Sequence, residues 1–250
     1  VFVFSANNSG STFVAKALAR CASAWSLPTE GQLVFGFAGP KPRASGRHFI
    51  WAAKQQWIAE YRDPSRMDWS KTRRAWYAQA TASDARARVF VEKSPPFLVL
   101  GDQLRTAFRN ARFIMMVRDP LATCEGIIRA RSRTATRSGE DIRTLAAQHV
   151  IHCFEQQSRN LKDLAGQCTL FTYEKLCEDP SGCAEQVRAL LPQLNDLDFD
   201  IRLRIKGKYD ERLRNMNDEQ IARLGSADRT FIEGIFKTRR ELFAEFGYRL

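Results

Sequence analysis

Histidine is scarce in this 250-residue chain, with His48, His149 and His152 as the whole complement. The six cysteines, Cys21, Cys124, Cys153, Cys168, Cys177 and Cys183, form no C-x-x-C pair and have no matching histidine set, which excludes the common zinc spacings. They read instead as small buried hydrophobes of a reduced protein, with a disulfide among the later ones left open if the parent is secretory. Nowhere does an apolar run approach the ~20 residues that span a bilayer. The chain opens on a strand with no initiator Met, so a targeting or anchoring segment removed upstream stays open. The expectation is a soluble cytoplasmic domain, with the Golgi lumen as the alternative if such an anchor existed. Internal repeats and low-complexity tracts are missing as well.

Acidic residues are also in deficit, 28 against 39 Lys and Arg, for a net charge of +11. An anionic partner follows: nucleic acid, a membrane surface or a phosphorylated small molecule. The basic residues are denser at Arg73-Arg74, over 129–137 and over 202–208. None of these stretches interleaves aromatics in the manner of single-strand binders, so nucleic acid ranks last, and Arg73-Arg74 reads as a solvated face. With 44% hydrophobic and 27% charged residues the composition is that of a globule large enough to bury a substantial core.

What is present begins at the first residue. Val1-Phe2-Val3-Phe4 is an apolar strand that runs into Ser5-Ala6-Asn7-Asn8-Ser9-Gly10-Ser11-Thr12 and then a helical pattern. Unpaired N–H groups and the dipole at a helix start favour an anion, and a turn of small hydroxyl residues lets a phosphate come close. Ser5 stands where a nucleoside-triphosphate loop has its first Gly, and Ser11 where it has its Lys. The turn therefore points to phosphate binding rather than to a kinase or ATPase, with a plain glycine turn as the alternative.

Further apolar runs at 88–91, 113–117 and 170–173 complete a set of four buried strands separated by helices or long crossovers. That pattern predicts an α/β fold, a P-loop-type parallel β-sheet flanked by helices, with a helical insertion after the first βα unit. A helix is expected from Pro120, a long one over 140–164, and two more over 217–224 and 229–246. Residues 1–250 read as one domain. Its insertion, 36–85, concentrates Trp51, Trp57, Trp69 and Trp76. These read as core of the insertion, with an acceptor pocket or lid as the functional alternative. Residues 202–216 read as a mobile loop covering a ligand.

Two blocks sit at the carboxyl ends of strands, where open α/β folds bind ligands. In Glu92-Lys93-Ser94-Pro95-Pro96 the prolines end the strand and project Lys93, placed to neutralise charge on a transferring group; a surface ion pair of Glu92 is the alternative. In Val117-Arg118-Asp119-Pro120 the guanidinium is placed to fork onto a phosphate, or else to pair with Asp119.

Over nearly its whole length the chain resembles the sulfotransferases that use 3′-phosphoadenosine 5′-phosphosulfate (PAPS), especially the tyrosylprotein and carbohydrate branch. Ser9-Gly10-Ser11-Thr12 is similar to the 5′-phosphosulfate loop, Glu92-Lys93-Ser94-Pro95 to the Glu-Lys-Thr/Ser-Pro element, and Val117-Arg118-Asp119-Pro120 to the 3′-phosphate element. Tyr173-Glu174-Lys175-Leu176, then Asp179-Pro180, matches the Tyr-Glu-Asp-Leu segment, and Phe246-Gly247-Tyr248 the usual ending. Two positions depart from the pattern: Asn8 stands where the family has Arg, and Gly126 where it has Ser. The resemblance implies sulfuryl transfer from PAPS to a hydroxyl or amine acceptor, with no metal. Its cofactor-binding residues would be Asn8, Ser9, Gly10, Ser11, Thr12, Arg118, Gly126 and Tyr173, with Lys206, Gly207 and Lys208 closing over the adenosine. Thr123, Arg129 or Arg133 would make up for the two departures. The base of the cytosolic branch is a His whose position holds Pro95 here. The base of the tyrosylprotein branch instead falls at Glu30, with Lys93 as sulfuryl stabiliser. The acceptor would be a small molecule, carbohydrate or peptide rather than nucleic acid. The alternative is a catalytically silent relative that binds adenosine bisphosphate for interaction or regulation.

Overall fold

The computed structural model describes residues 1–41, 46–82, 87–131, 141–205 and 209–249. Five consecutive apolar residues form strand β5, Phe113–Val117, and a strand apolar on both sides must be covered on both faces. It is the centre of a parallel trio, paired on one side with β1, Phe2–Phe4, and on the other with β6, Cys168–Thr172. Side chains alternate as the pleat requires: Phe2, Phe4, Phe113 and Met115 enter one buried cluster, while Val3, Ile114 and Met116 enter another.

A second trio places β2, Ala24–Ser26, between antiparallel β3, Thr81–Ala82, and parallel β4, Val89–Val91. The two trios join at a parallel bridge between Phe2 and Glu92, where Val3 N–H donates to Glu92 O at 2.9 Å. The spatial order is therefore β3-β2-β4-β1-β5-β6.

Helix α1, Ser11–Leu18, follows β1 directly. The segment before β4 carries α2, Gln55–Arg62, and α3, Trp69–Gln79. After β4 come α4, Gly101–Ala107, then β5 and α5, Pro120–Arg131, with Pro120 in its first turn as expected. Asp119 Oδ1 accepts from Ala122 N–H and caps α5, so this carboxylate serves the helix rather than Arg118. The long helix α6, Ile142–Asp163, is capped by Asp141. It packs on α5 and α10, Ser226–Lys237, through a third cluster that includes Ile127, Val150, Phe154, Ile232 and Phe236.

Several expectations are corrected. Two strands are not among the four expected, β2 and β3, of three and two residues, which are too short to show a period. The strand expected at 170–173 ends at Thr172, whose Oγ1 caps the next helix, so Tyr173 opens α7, Tyr173–Glu178; α8, Pro180–Leu190, follows. The helix expected over 229–246 is two, α10 and α11, Arg240–Ala244. At the break Thr238 Oγ1 donates back to Ile235 O, and the bend brings the Phe236 and Phe243 rings to 5.0 Å. The helix expected over 217–224 is shorter, α9, Asn217–Ile221. Within the stretch expected to be a mobile loop, β7, Leu203–Ile205, pairs antiparallel with β8, Tyr209–Glu211. Lys16 Nζ fastens β7 to α1 by donating to Arg204 O at 2.7 Å.

Trp51 and Trp76 are fully buried core, and Trp76 stacks on Phe90 and Phe108. All six cysteines are free thiols, with no disulfide among the described residues. None of the described helices is long and apolar enough to cross a membrane.

His149 is buried on α6, and its Nδ1 accepts the Ala52 N–H at 3.1 Å. Burial, with a smaller push from His152, lowers its pKa from 6.5 to about 3. Since the folded value lies below the unfolded one, the stability tied to neutral His149 is complete above about pH 6.5 and drains away as the pH falls toward 3. His149→Gln keeps an acceptor for Ala52 but does not titrate. Its urea midpoint should therefore decline less steeply than the parent's between pH 6.5 and 4; parallel declines would show that His149 is already charged in the fold.

Candidate active site

The turn after β1 is built to bring backbone close to something small. Asn8 and Gly10 have φ of 62° and 87°, the left-handed region. At Gly10 a Cβ would lie 2.8 Å from the Tyr173 ring, so no other residue fits there without displacement. Ser5 Oγ donates to Ser11 Oγ at 2.7 Å and Ser9 Oγ to Ala6 O at 2.9 Å, which fixes the turn from within. Trp51 Nε1 donates to Asn7 Oδ1 at 2.8 Å and fixes it from the inserted segment. Helix α1 has neither a side-chain cap nor an acidic residue in its first turn. Its first N–H groups, at Ser11 and Thr12, are thus open to an anion.

Arg118 leaves β5 beside this turn and is only 4% exposed. Its Nη1 donates to Asn8 O at 2.9 Å, its Nε to Asn217 Oδ1 at 2.8 Å, and its guanidinium lies 4.1 Å over the Tyr173 ring. Burial lowers the Arg118 pKa, while Tyr173, Glu174 and Asp119 oppose the drop. Burial likewise pushes the Tyr173 phenol up to about 12, and its OH donates to Arg214 O. Glu174 ties the cage together: Oε1 accepts from Asp119 N–H and Asn217 Nδ2, and Oε2 from the Tyr248 hydroxyl.

Three donors in this region are buried without a partner: Arg118 Nη2, Asn8 Nδ2 and Thr123 Oγ1. Thr123 and Gly126 are a turn apart on α5, and a Cβ at Gly126 would come 2.9 Å from Asn8 Cβ. The two residues that depart from the family pattern thus touch each other. Unpaired buried donors are costly, and such a cluster beside an open helix start has the chemistry of an anion pocket.

At the end of β4, Lys93 Nζ meets Glu30 Oε1 at 2.6 Å, and Gln32 Nε2 donates to Glu30 Oε2 at 2.7 Å. The side chains are 11% and 22% exposed, so the pair is sheltered yet reachable from solvent. Burial alone would raise the Glu30 carboxyl, but the Lys93 ammonium, helped by Gln32 and His48, holds it below 4.5. Glu92 forms no ion pair among the described residues. It is 2% exposed, and its Oε1 accepts from Gly31 N–H at 2.9 Å and Ser94 Oγ at 2.6 Å. Burial raises its pKa to about 7.

The structure thus brings Asn8, Ser9, Gly10, Ser11, Thr12, Arg118, Gly126 and Tyr173 to one sheet edge, and Glu30 and Lys93 to the neighbouring strand end. Lys206, Gly207, Lys208 and Arg133 lie outside the described residues. Sequence reasoning gave no site role to Asn217, read Trp51 as core of the insertion, and gave Glu92 only a surface ion pair as its alternative. Asn217 carries no motif, whereas Glu92 stood inside one. No cluster of metal ligands is found among the described residues.

The sulfotransferase family model matches residues 1–195, and the chain belongs to the sulfotransferase family. It is accordingly a transferase, and the reaction class is sulfuryl transfer. Solved structures agree in fold. One is a sulfotransferase domain from the curacin biosynthetic pathway, with TM-score 0.56 and 17% identity over 100% of this chain and 97% of that one. The sulfotransferase from Alicyclobacillus acidocaldarius gives 0.58 and 14% over 100% and 96%. The sulfotransferase domain of the Synechococcus PCC 7002 olefin synthase gives 0.57 and 19% over 100% and 94%. No curated protein matches the chain in sequence.

Gly10→Ala should lose about 1–3 kcal/mol from the strained φ and the Tyr173 contact. Chemical unfolding of the purified variant reads this directly, and an unchanged midpoint would show that the turn is not held as described.

Proposed function

We propose that the protein transfers a sulfuryl group from PAPS to a hydroxyl or amine acceptor, using Lys93 and Glu30 at the transfer point. The observation that carries this is the set of unpaired buried donors, Arg118 Nη2, Asn8 Nδ2 and Thr123 Oγ1, beside the uncapped start of α1. These are two adjoining places for anionic groups, which suits a nucleotide bearing a 3′-phosphate and a 5′-phosphosulfate. When bound, that nucleotide supplies an activated sulfuryl group on a phosphate leaving group.

Ser9, Gly10, Ser11 and Thr12 surround the 5′ side. Arg118, Asn8 and Thr123 face the 3′-phosphate, Gly126 makes room for Asn8, and Tyr173 supports Arg118. The stretch 202–216 is assigned to the adenosine side. Residues 36–85 form the acceptor side of a single domain, 1–250.

Lys93 is placed to neutralise charge growing on the sulfuryl oxygens. Glu30 takes the acceptor's proton as the acceptor–sulfur bond forms and the sulfur–phosphate oxygen bond breaks, the electron pair leaving with the phosphate. The two roles are linked. Glu30 is held acidic mainly by Lys93, so as Lys93 turns to the sulfuryl oxygens Glu30 becomes a stronger base when the proton must move.

A thermal-shift comparison tests the nucleotide. 3′,5′-Adenosine bisphosphate at 100-fold its Kd should stabilise the fold by about 2.7 kcal/mol, whereas ATP should do little. No response, or a larger one to ATP, overturns the nucleotide assignment. Glu30→Gln should abolish transfer of labelled sulfate while keeping the bisphosphate shift, and Lys93→Ala should lower kcat by about 10²–10³. Loss of the shift in Glu30→Gln would make Glu30 a structural residue.

A further inference from the structure

Glu92 is an expensive residue for its place. A carboxylate with 2% exposure and no ion pair among the described residues costs folding energy that an apolar side chain would not. Its Oε2 is buried without a partner, so only Oε1 is used. Both groups that Oε1 accepts lead to the same short loop. Gly31 N–H reaches it at 2.9 Å, and Ser94 Oγ donates to it at 2.6 Å while accepting the Gln32 N–H at 3.1 Å. The far side of that loop is held by Trp76 Nε1, which donates to Gly31 O at 3.0 Å. Gly31 is wedged between the two holders: a Cβ there would lie 2.7 Å from Glu92 Oε1 and 2.7 Å from the Trp76 ring.

The loop so gripped is the one that carries Glu30 and Gln32, and the strand end that grips it carries Lys93. Glu92 and Ser94 flank Lys93 in sequence, so the lysine and the two loop anchors move as one piece. Lys93 and Glu30 are 63 residues apart in the chain and still meet at 2.6 Å. Two long, partly exposed side chains have little reason to hold that geometry unless their backbones are fixed to each other.

We propose that Glu92 is the positioning residue of the Glu30–Lys93 pair: its buried carboxylate, acting with Ser94, locks the loop at residues 30–32 onto the end of β4. The proposal rests on the reading of Glu30 and Lys93 as the reacting pair, and its test has a readout that does not need the nucleotide.

Because one oxygen does the work, Glu92→Gln keeps an acceptor in the position of Oε1 and should preserve the lock, whereas Glu92→Leu removes it. Ser94→Ala, which removes the Ser94 bonds to Gln32 and Glu92 but leaves Gly31 on Glu92, covers the case in which Glu92→Leu does not fold. In competitive labelling of the intact protein with acetic anhydride, read by mass spectrometry, Lys93 should be acetylated several-fold faster in Glu92→Leu than in the parent or in Glu92→Gln. Ser94→Ala should lie between.

In sulfate transfer, Glu92→Leu should lose at least tenfold in kcat while the nucleotide KM and the bisphosphate thermal shift stay near the parent's. Unchanged Lys93 labelling in both Glu92→Leu and Ser94→Ala overturns the proposal, as does a Glu92→Gln variant as impaired as Glu92→Leu. If Lys93 labelling responds as expected but the parent transfers no sulfate from PAPS, the positioning role stands and the proposed reaction fails.

Discussion

The parallel seam between Phe2 and Glu92 is the constraint on which the rest of the molecule depends. It is the point where the trio containing β1, β5 and β6 meets the trio containing β2, β3 and β4. β1 runs into the Ser/Asn/Gly turn and β4 into Lys93, so aligning these two strands in parallel puts both exits at one edge. The Ser/Asn/Gly turn and the Glu30–Lys93 pair are therefore neighbours because of backbone pairing. Long side chains then finish what the strands have already aimed.

Charge is handled sparingly. The +11 balance of the chain is mostly solvated surface, while the two cations at the sheet edge are each engaged before any ligand arrives. Arg118 is desolvated and compensated by Tyr173, Asn8 O and Asn217, which hold it rigid yet leave Nη2 without a partner. Lys93 is neutralised by Glu30. The cost appears at the desolvated groups, with the Glu92 pKa shifted upward and that of Arg118 downward, whereas the downward shift of Glu30 records its favourable pairing with Lys93.

What could be read in advance follows the physical range of each signal. The five apolar residues of β5, the Pro120 that opens α5 and the period of α6 are local, and they are visible in the chain. Strand β2 is three residues long and β3 only two, so neither shows an alternation to detect. The break between α10 and α11 comes from a hydroxyl bonding back to its own helix and from two phenylalanines converging. An apolar period cannot report such an event. The turn, Lys93 and Arg118 were legible because strand ends and small residues announce themselves. Glu30 was legible through family resemblance, not through any pattern of its own. Asn217 was not legible at all: it begins an ordinary short helix, and its meaning lies in Arg118, 99 residues away. The buried role of Glu92 lay hidden for the opposite reason, since a charged residue beside a lysine reads first as a surface pair.

The contact between Asn8 and Gly126 has a consequence for how this sequence can vary. A β-carbon at position 126 collides with Asn8, and Asn8 occupies the space a serine there would use. The two positions are thermodynamically coupled, so restoring the family's serine alone meets a filled pocket, and removing Asn8 alone leaves a void beside Arg118. What can stand at position 126 is therefore set by what stands at position 8, and the effects of substitutions at the two are expected to be non-additive.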